Sequence, residues 1–277
     1  MTQIPTLDRL LAQFSLKHIG IGALSGLIFA LLLIATLPKL YRAEMTIAPA
    51  ERSLGIELGS ALQNGQTAAV QFLMQRLGSA ASTDFTAFQS RLKTGEVAKQ
   101  VMNDPALLHG LFYKKWDKKG KKWRRGRTPD IATIREEIQK KIILRPVGTT
   151  NLKTVAYHHP DPVFATRFLN ALFKKTDTVM KAQMQQRAIT RIAYLQQQLK
   201  QPQTRDQEVA LVAMLKEQEH LKMISAIDIP YAAIMLEAPI ASAKPVSPKG
   251  SILALTFIII GASAGHAIHR FKIKYSL

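Results

Sequence analysis

Two long uncharged runs, one near each end, constrain this chain more than any other feature of its sequence. The first covers residues 19–37 (IGIGALSGLIFALLLIATL) and the second covers residues 250–268 (GSILALTFIIIGASAGHAI). A helix of this length reaches roughly 28 Å, about the thickness of the hydrocarbon core of a bilayer. We therefore predict two membrane-spanning helices. The first run lacks a small-x-small cleavage site before Pro38 and is interpreted as an uncleaved anchor.

Two spans place both chain termini on one side of the membrane and the long loop on the other. The predicted organisation is a tail over 1–18, a span over 19–37, a loop domain over 38–249, a span over 250–269 and a tail over 270–277. Basic residues do not fix the orientation, since five Lys or Arg flank the spans on the terminal side and five on the loop side.

Each predicted span contains two glycines four residues apart. Gly22 and Gly26 lie in the first span, and Gly261 and Gly265 lie in the second. Small residues at this spacing let helix backbones approach closely, so we expect them to pack one span on the other or on a neighbouring subunit. The alternative is that they carry no packing role, because glycine is common in membrane helices in any case.

The first part of the loop alternates between a strand pattern and helical patterns. The segment LYRAEMTIAP (40–49) predicts a strand that ends at Pro49. One face of that strand holds Tyr41, Ala43, Met45 and Ile47. Helical periodicity follows over 67–77 and again over 83–109, where Asn103-Asp104-Pro105 acts as a breaker.

A short helix, a hairpin and two long helices are predicted after residue 127. The short helix opens at Thr128-Pro129-Asp130, with the proline in its first turn. Segments 141–147 and 152–158 form a β-hairpin around a four-residue loop. The apolar pattern over 161–200 predicts a helix of roughly 60 Å. Pro202 ends it, and the capping box Thr204-x-x-Gln207 begins a second helix whose apolar positions include Val209, Val212, Leu215 and Ile224.

The loop ends in a strand over 229–236 and an extended, semi-rigid segment containing Pro239, Pro245 and Pro248. The predicted fold class is therefore α+β. Two transmembrane helices flank a domain that has a small membrane-proximal sheet and a long helical hairpin.

The loop contains one strongly basic stretch, YKKWDKKGKKWRRGR (113–127). Nine of its fifteen residues are Lys or Arg, it holds both tryptophans, and the whole chain has a net charge of +19. Such a stretch is typical of nucleic-acid binding, which would require a cytoplasmic loop. The stretch is also symmetric. With Lys119-Gly120 as a two-residue turn, Trp116 faces Trp123, Asp117 faces Lys122 and Lys118 faces Lys121, as in a hairpin pinned by two indoles.

The second hypothesis for this stretch is a cationic, aromatic surface that holds an anionic glycan or lipid head groups. The residues of that surface would be Lys115, Trp116, Lys118, Lys119, Lys121, Lys122, Trp123, Arg124 and Arg125.

Sequence motifs of catalysis are missing. The chain has no phosphate loop, no HExxH or GxSxG motif and no cysteine. His158 and His159 are neighbours in a strand and so point to opposite faces, while His266 and His269 lie at the end of the second span. We predict a protein that is not an enzyme, with no catalytic, cofactor-binding or metal site.

The order of these features resembles the polysaccharide co-polymerase family, the Wzz-type chain-length determinants of bacterial surface polysaccharides. The matching pieces are the anchor followed by Tyr41-Arg-Ala…Ile47-Ala-Pro49, the segment STDFTAFQSRLKTGEVAKQVMND (82–104), the segment HHPDPVFATRFLNALF (158–173), and APIASAKPVSPKG (238–250) running into a glycine-containing span. Together they cover nearly the whole chain. The basic stretch is not a general feature of the family, and no cytoplasmic tyrosine kinase domain is present in this sequence.

The resemblance implies an inner-membrane protein with cytoplasmic termini and a periplasmic loop, whose subunits form a ring. Such rings act with a polymerase, on a polysaccharide or lipid-linked glycan, and set the glycan length without catalysis. A periplasmic loop would not meet nucleic acid. Two alternatives remain at this point: an adaptor subunit of a capsule or exopolysaccharide export complex, which has the same topology, and a two-span sensor, for which the short tails offer no output module.

Overall fold

The computed structural model describes residues 16–50, 83–117, 119–124, 126, 128–200 and 204–275, with side chains for 19–268 of these. The helix predicted over 67–77 lies outside this part of the chain, as do Lys118, Arg125 and the side chain of His269. In chain order the elements are α1 (Leu16–Thr36), β1 (Tyr41–Pro49), α2 (83–91), α3 (Gly95–Met102), α4 (Pro105–Leu111), β2 (Trp116–Asp117), β3 (Lys122–Trp123), α5 (Ile131–Lys141), β4 (Ile142–Pro146), β5 (Lys153–His159), α6 (Pro162–Gln198), α7 (Arg205–Ala226), β6 (Ala233–Ala241) and α8 (Gly250–Tyr275).

The chain divides into two compact units. One contains the two terminal helices and the residues next to them, and the other spans Ala43–Ala241. In the first unit, α1 and α8 are long and apolar enough to cross a membrane over Ile19–Thr36 and Gly250–Ile268. Their large apolar side chains point outward, as Ile21 and Ile259 do, because the small residues occupy the line where the two helices meet.

The second unit is an α+β domain, as predicted. Its four-stranded sheet has the order β4-β5-β1-β6, in which β4 pairs antiparallel with β5 and β1 pairs antiparallel with β6. The predicted inward face of β1 is confirmed at Ala43, Met45 and Ile47, which are almost completely buried, and Tyr41 is half-buried. The β4–β5 hairpin has the predicted position, and Gly148 in its loop has a φ of 56°.

The long helical hairpin is also present. Helix α6 has 37 residues and begins at Asp161, whose carboxylate accepts the N–H groups of Val163 and Phe164. Helix α7 begins at Thr204, whose side chain accepts the N–H of Gln207. The first half of α6 lies over the sheet and, with α2, α3, α4 and α5, encloses one hydrophobic core that includes Phe88, Phe168 and Leu172.

Two sequence predictions are corrected by the structure. The last strand was predicted over 229–236, but β6 covers Ala233–Ala241 because Tyr231 is held elsewhere, by the carboxylate of Asp177. Pro129 was placed in the first turn of α5, but the N-cap is the next residue, Asp130, which accepts the N–H of Thr133. The apolar positions Val209 and Val212 of α7 are 63% and 37% exposed, and α7 packs mainly along α6.

Candidate functional site

The basic stretch forms a two-stranded hairpin. Trp116 pairs with Trp123 and Asp117 pairs with Lys122, which confirms the predicted register. The predicted two-residue turn at Lys119-Gly120 is wrong, because tight hairpin turns need a positive φ at one or both central residues and neither Lys119 nor Gly120 has one. The positive φ, 47°, occurs instead at Lys121, and the carboxylate of Asp117 accepts the N–H of Lys119 at 3.1 Å to close a longer loop.

A stack of aromatic rings supports the hairpin. His109, in the last turn of α4, stacks on Trp116 with ring centroids 3.6 Å apart and planes 6° from parallel. Trp123 meets Trp116 and His109 edge-on, at 4.9 Å and 5.5 Å. If Trp123 lay on the face of Trp116 opposite His109, the distance between Trp123 and His109 would be close to the sum of the His109–Trp116 and Trp116–Trp123 distances. Trp123 therefore lies beside the stack, and neither ring covers the second face of Trp116.

The two indoles consequently have different environments. Trp123 packs against the hydrophobic core and meets Phe112 edge-on at 6.5 Å. Trp116 lines a groove beside the hairpin. Of the residues predicted to form a cationic, aromatic surface, the structure therefore turns one indole inward and leaves the other at the edge of a cavity.

The basic side chains of the hairpin point into solvent. The exposed cations in the described part of the stretch are Lys114, Lys115, Lys119, Lys121, Lys122 and Arg124. Among the residues that the structure describes, none of these six forms an ion pair with a carboxylate. The Nζ of Lys115 lies 5.3 Å from the centroid of the Phe112 ring.

A groove of about 800 Å³ separates the hairpin from the start of α6. The hairpin side contributes Trp116, Lys119 and Arg124, and the helix side contributes Val163 and Arg167. Two carboxylates, those of Asp117 and Asp161, also reach the groove, but each accepts backbone N–H groups within its own turn. The three cations that line it are exposed.

His159 forms part of the groove floor and is 4% exposed. Its Nε2–H donates to the carbonyl oxygen of Gly110 at 3.1 Å, and its Nδ1 accepts the N–H of Asp161 at 3.0 Å, so both ring nitrogens are used. Burial lowers the pKa of His159, while the backbone carbonyl oxygens of Asp161 and Gly110 beside its ring nitrogens act in the opposite direction. Burial also lowers the pKa of His109. A neutral His159 thus ties α4 to the start of α6, which is a structural role.

The sequence prediction missed His109 and Arg167. His109 reaches Trp116 because α4 ends immediately before the hairpin, and its position two residues before the core residue Leu111 resembles an ordinary surface position. Arg167 lies far from the basic stretch in sequence and enters the groove only because Phe164, on the same helix, packs against Gly110 of α4.

The predicted glycines of the spans lie at the crossing of α1 and α8. A Cβ on Gly22 would overlap the carbonyl oxygen of Gly261 and lie 3.1 Å from the Cα of Gly265. A Cβ on Gly26 would overlap the carbonyl oxygen of Phe257. The structure therefore brings all four glycines into one contact between the two helices, in which the backbones are too close for any side chain.

The predicted proline segment is divided between two environments. Pro239 lies inside β6 at a register shift opposite Glu44 and Thr46, where an edge strand tolerates a residue without an N–H. Pro245 and Pro248 flank residues that pair with the chain after α1: the N–H of Val246 donates to the carbonyl of Leu40, and the N–H of Leu40 donates to Ser247. Pro239 thus belongs to the last strand, and Pro245 and Pro248 belong to the segment that follows it.

Within the described residues, no group of three or more His, Asp or Glu side chains is placed to hold a metal ion. The groove contains flat aromatic faces, exposed cations and backbone-bonded carboxylates. Its chemistry suits binding of an anion that also presents a flat surface.

The chain resembles a full-length bacterial polysaccharide co-polymerase with 15% sequence identity and a TM-score of 0.48, and the match covers 99% of this chain and 98% of that one. No protein-family model and no curated protein matches the sequence.

Proposed function

We propose that this protein is a non-catalytic, oligomeric regulator of surface polysaccharide chain length that acts with an inner-membrane polymerase. The observation that carries the proposal is the order of the elements. Two apolar helices bracket an α+β unit in which a hairpin, β4–β5, leads through Asp161-Pro162 into a 37-residue helix. This is the order in which the sequence segments resembling the co-polymerase family occur.

The apolar face of α7 supports an oligomer. Val209, Val212 and Met223 share one side of α7 and are 63%, 37% and 58% exposed, and Ile189 and Tyr194 of α6 are 42% and 60% exposed. Apolar side chains in such number on one helical hairpin favour contacts with other subunits. Replacing both Val209 and Val212 by Glu should lower the subunit number of the detergent-purified protein, measured by native mass spectrometry. Replacing the exposed Glu219 and Glu217 by Gln provides the matched control and should leave it unchanged.

The orientation belongs to the same proposal. A chain-length regulator works where the polymer grows, so the unit Ala43–Ala241 would lie in the periplasm and both termini in the cytoplasm. Alkaline phosphatase fused after residue 120 is active only if that point reaches the periplasm. A stable but inactive fusion would place the loop in the cytoplasm and would reopen nucleic acid as a partner of the basic stretch.

The decisive experiment removes the gene and displays the polysaccharide on a gel. We expect a changed modal length, restored by the wild-type protein. Polymer of normal length that accumulates inside the cell would instead support the export adaptor. An unchanged amount, length and location of polymer would contradict both functions.

A further inference from the structure

We propose that the groove between the β2–β3 hairpin and the start of α6 binds a saccharide that carries carboxylate groups, such as a uronate-containing segment of the polymer. The inference rests on the proposed function and assigns it a binding site. The basic stretch alone does not form this site, because most of the lining residues come from other segments, among them His109 on α4 and Arg167 on α6.

The charge of the groove selects an anion. Lys119 and Arg124 line the cavity from the hairpin side and Arg167 lines it from α6, and all three are exposed. The carboxylate oxygens of Asp117 and Asp161 that the structure shows bonded accept backbone N–H groups rather than these cations. Guanidinium groups form paired hydrogen bonds with carboxylates, so two arginines that line the groove from different segments suit a ligand with an acidic group at more than one position.

The aromatic wall selects a saccharide rather than a bare anion. One face of Trp116 is stacked on His109, and Trp123 lies beside that stack, so neither ring covers the second face of Trp116. An aromatic face is electron-rich, and the C–H groups on one side of a sugar ring are its natural partner. A cavity of about 800 Å³ is large enough for a short oligosaccharide.

A lipid head group would use the same cations but needs aliphatic surface for the acyl chains. The walls of this groove contribute one large, strongly exposed aliphatic side chain, Val163, against five aromatic or imidazole rings: His109, Tyr113, Trp116, His159 and Phe164. The lining therefore favours a sugar over a membrane surface.

The chain provides its own reporter for the test, because its only two tryptophans are Trp116 and Trp123. The full-length protein in detergent micelles is titrated with hexagalacturonate, and tryptophan emission is followed. We expect saturable quenching that weakens with added salt. Maltohexaose, a neutral saccharide of the same length, should change the emission little.

The Arg167→Gln variant should weaken hexagalacturonate binding about threefold to tenfold, because it removes one of the two guanidinium groups. The matched control is Arg187→Gln on the same helix, an exposed arginine about 30 Å farther along α6. It should bind like the wild type. Since Arg167 is exposed, its replacement should leave the thermal unfolding temperature unchanged, which separates lost binding from lost folding.

Three results would overturn the proposal: equal binding of the charged and neutral saccharides, no binding of either, or equal affinities of the two arginine variants. Quenching by vesicles that contain phosphatidylglycerol, with none by hexagalacturonate, would assign the groove to lipid instead. The polysaccharide gel tests the proposed function separately from the binding site in the groove. A changed polymer length in the deletion strain without saccharide binding by the groove would refute the groove and leave the proposed function intact. Saccharide binding by the groove without any change of polymer length in the deletion strain would refute the proposed function and leave the groove as a binding site.

Discussion

The carboxylate of Asp177 should be one of the most sensitive polar groups in the unit Ala43–Ala241. It lies on α6, is 9% exposed, and accepts the backbone N–H of Tyr231 at 2.7 Å in a buried position. It also pairs with Lys181, one turn farther along α6, at 3.1 Å. This one side chain therefore fixes the segment between α7 and β6, and with it the entry of the last strand into the sheet.

Two substitutions separate these contacts. Asp177→Ala removes both the hydrogen bond and the ion pair and leaves a buried N–H without its acceptor, which we expect to lower the free energy of unfolding by about 2–4 kcal/mol. Asp177→Asn keeps an oxygen for the N–H of Tyr231 and loses only the pair with Lys181, so its cost should be about 1 kcal/mol. For a domain of about 200 residues, the alanine variant should unfold roughly 5–15 °C lower.

The measurement is thermal unfolding of the full chain in detergent micelles, followed both by tryptophan emission and by far-ultraviolet circular dichroism. Both tryptophans lie in the unit that contains Asp177, so emission reports on that unit alone. Glu219→Gln is the control, because Glu219 and its partner Lys222 are 48% and 44% exposed and should contribute less than about 0.5 kcal/mol. Equal losses in the alanine and asparagine variants would show that the bond to Tyr231 does not stabilise the fold.

Three further predictions concern other parts of the molecule. In the cysteine-free chain, cysteines introduced at Ile34 and Gly250 should form a cross-link between α1 and α8. Gly26→Leu should reduce the cross-linking yield, whereas Gly20→Leu should not, because a side chain at Gly20 meets nothing within 4 Å. Equal yields in the two variants would contradict the close crossing of α1 and α8. Because burial depresses the pKa of His159 below its ordinary 6.5, the unfolded chain binds the extra proton first, so the unfolding temperature should fall as the pH drops from about 7 through 6.5. In the His159→Gln variant the unfolding temperature should fall less steeply with pH, with part of the pH dependence retained because burial also lowers the pKa of His109. An unchanged pH dependence would refute the role given to His159. Trp123→Ala should cost about 2–4 kcal/mol, more than Trp116→Ala, because Trp123 packs against the core; equal costs by denaturant unfolding would contradict the different environments of the two indoles.

The elements with strong local signals were predictable from the sequence. Asp161 and Pro162 mark the start of α6 because the carboxylate caps the first N–H groups and proline is suited to the first turn. Gly148 marks the β4–β5 loop because it has a positive φ there. The Trp116–Trp123 pair followed from the symmetry of the basic stretch, since directly opposed residues of a hairpin are set by local spacing alone.

The position of the last strand could not be predicted from local sequence signals. The apolar run from Ile229 predicted a strand from that residue, yet β6 begins at Ala233. Tyr231 is removed from the sheet by a hydrogen bond to Asp177, a residue 54 positions away in sequence. Propensity records the apolar character of the run, but the register depends on which distant acceptor satisfies each backbone N–H.

The sequence by itself determined the two apolar helices, the α+β class, the helical hairpin and the pairing of the two tryptophans, because each depends on residues close together along the chain. Only the tertiary structure decided which of the two indoles faces the core, that Pro239 belongs to β6, and that Arg167 lies across a groove from the basic hairpin. Those outcomes depend on packing between distant segments. Two of the contacts that determine this packing are that of Phe164 with Gly110 and the hydrogen bond between Asp177 and Tyr231.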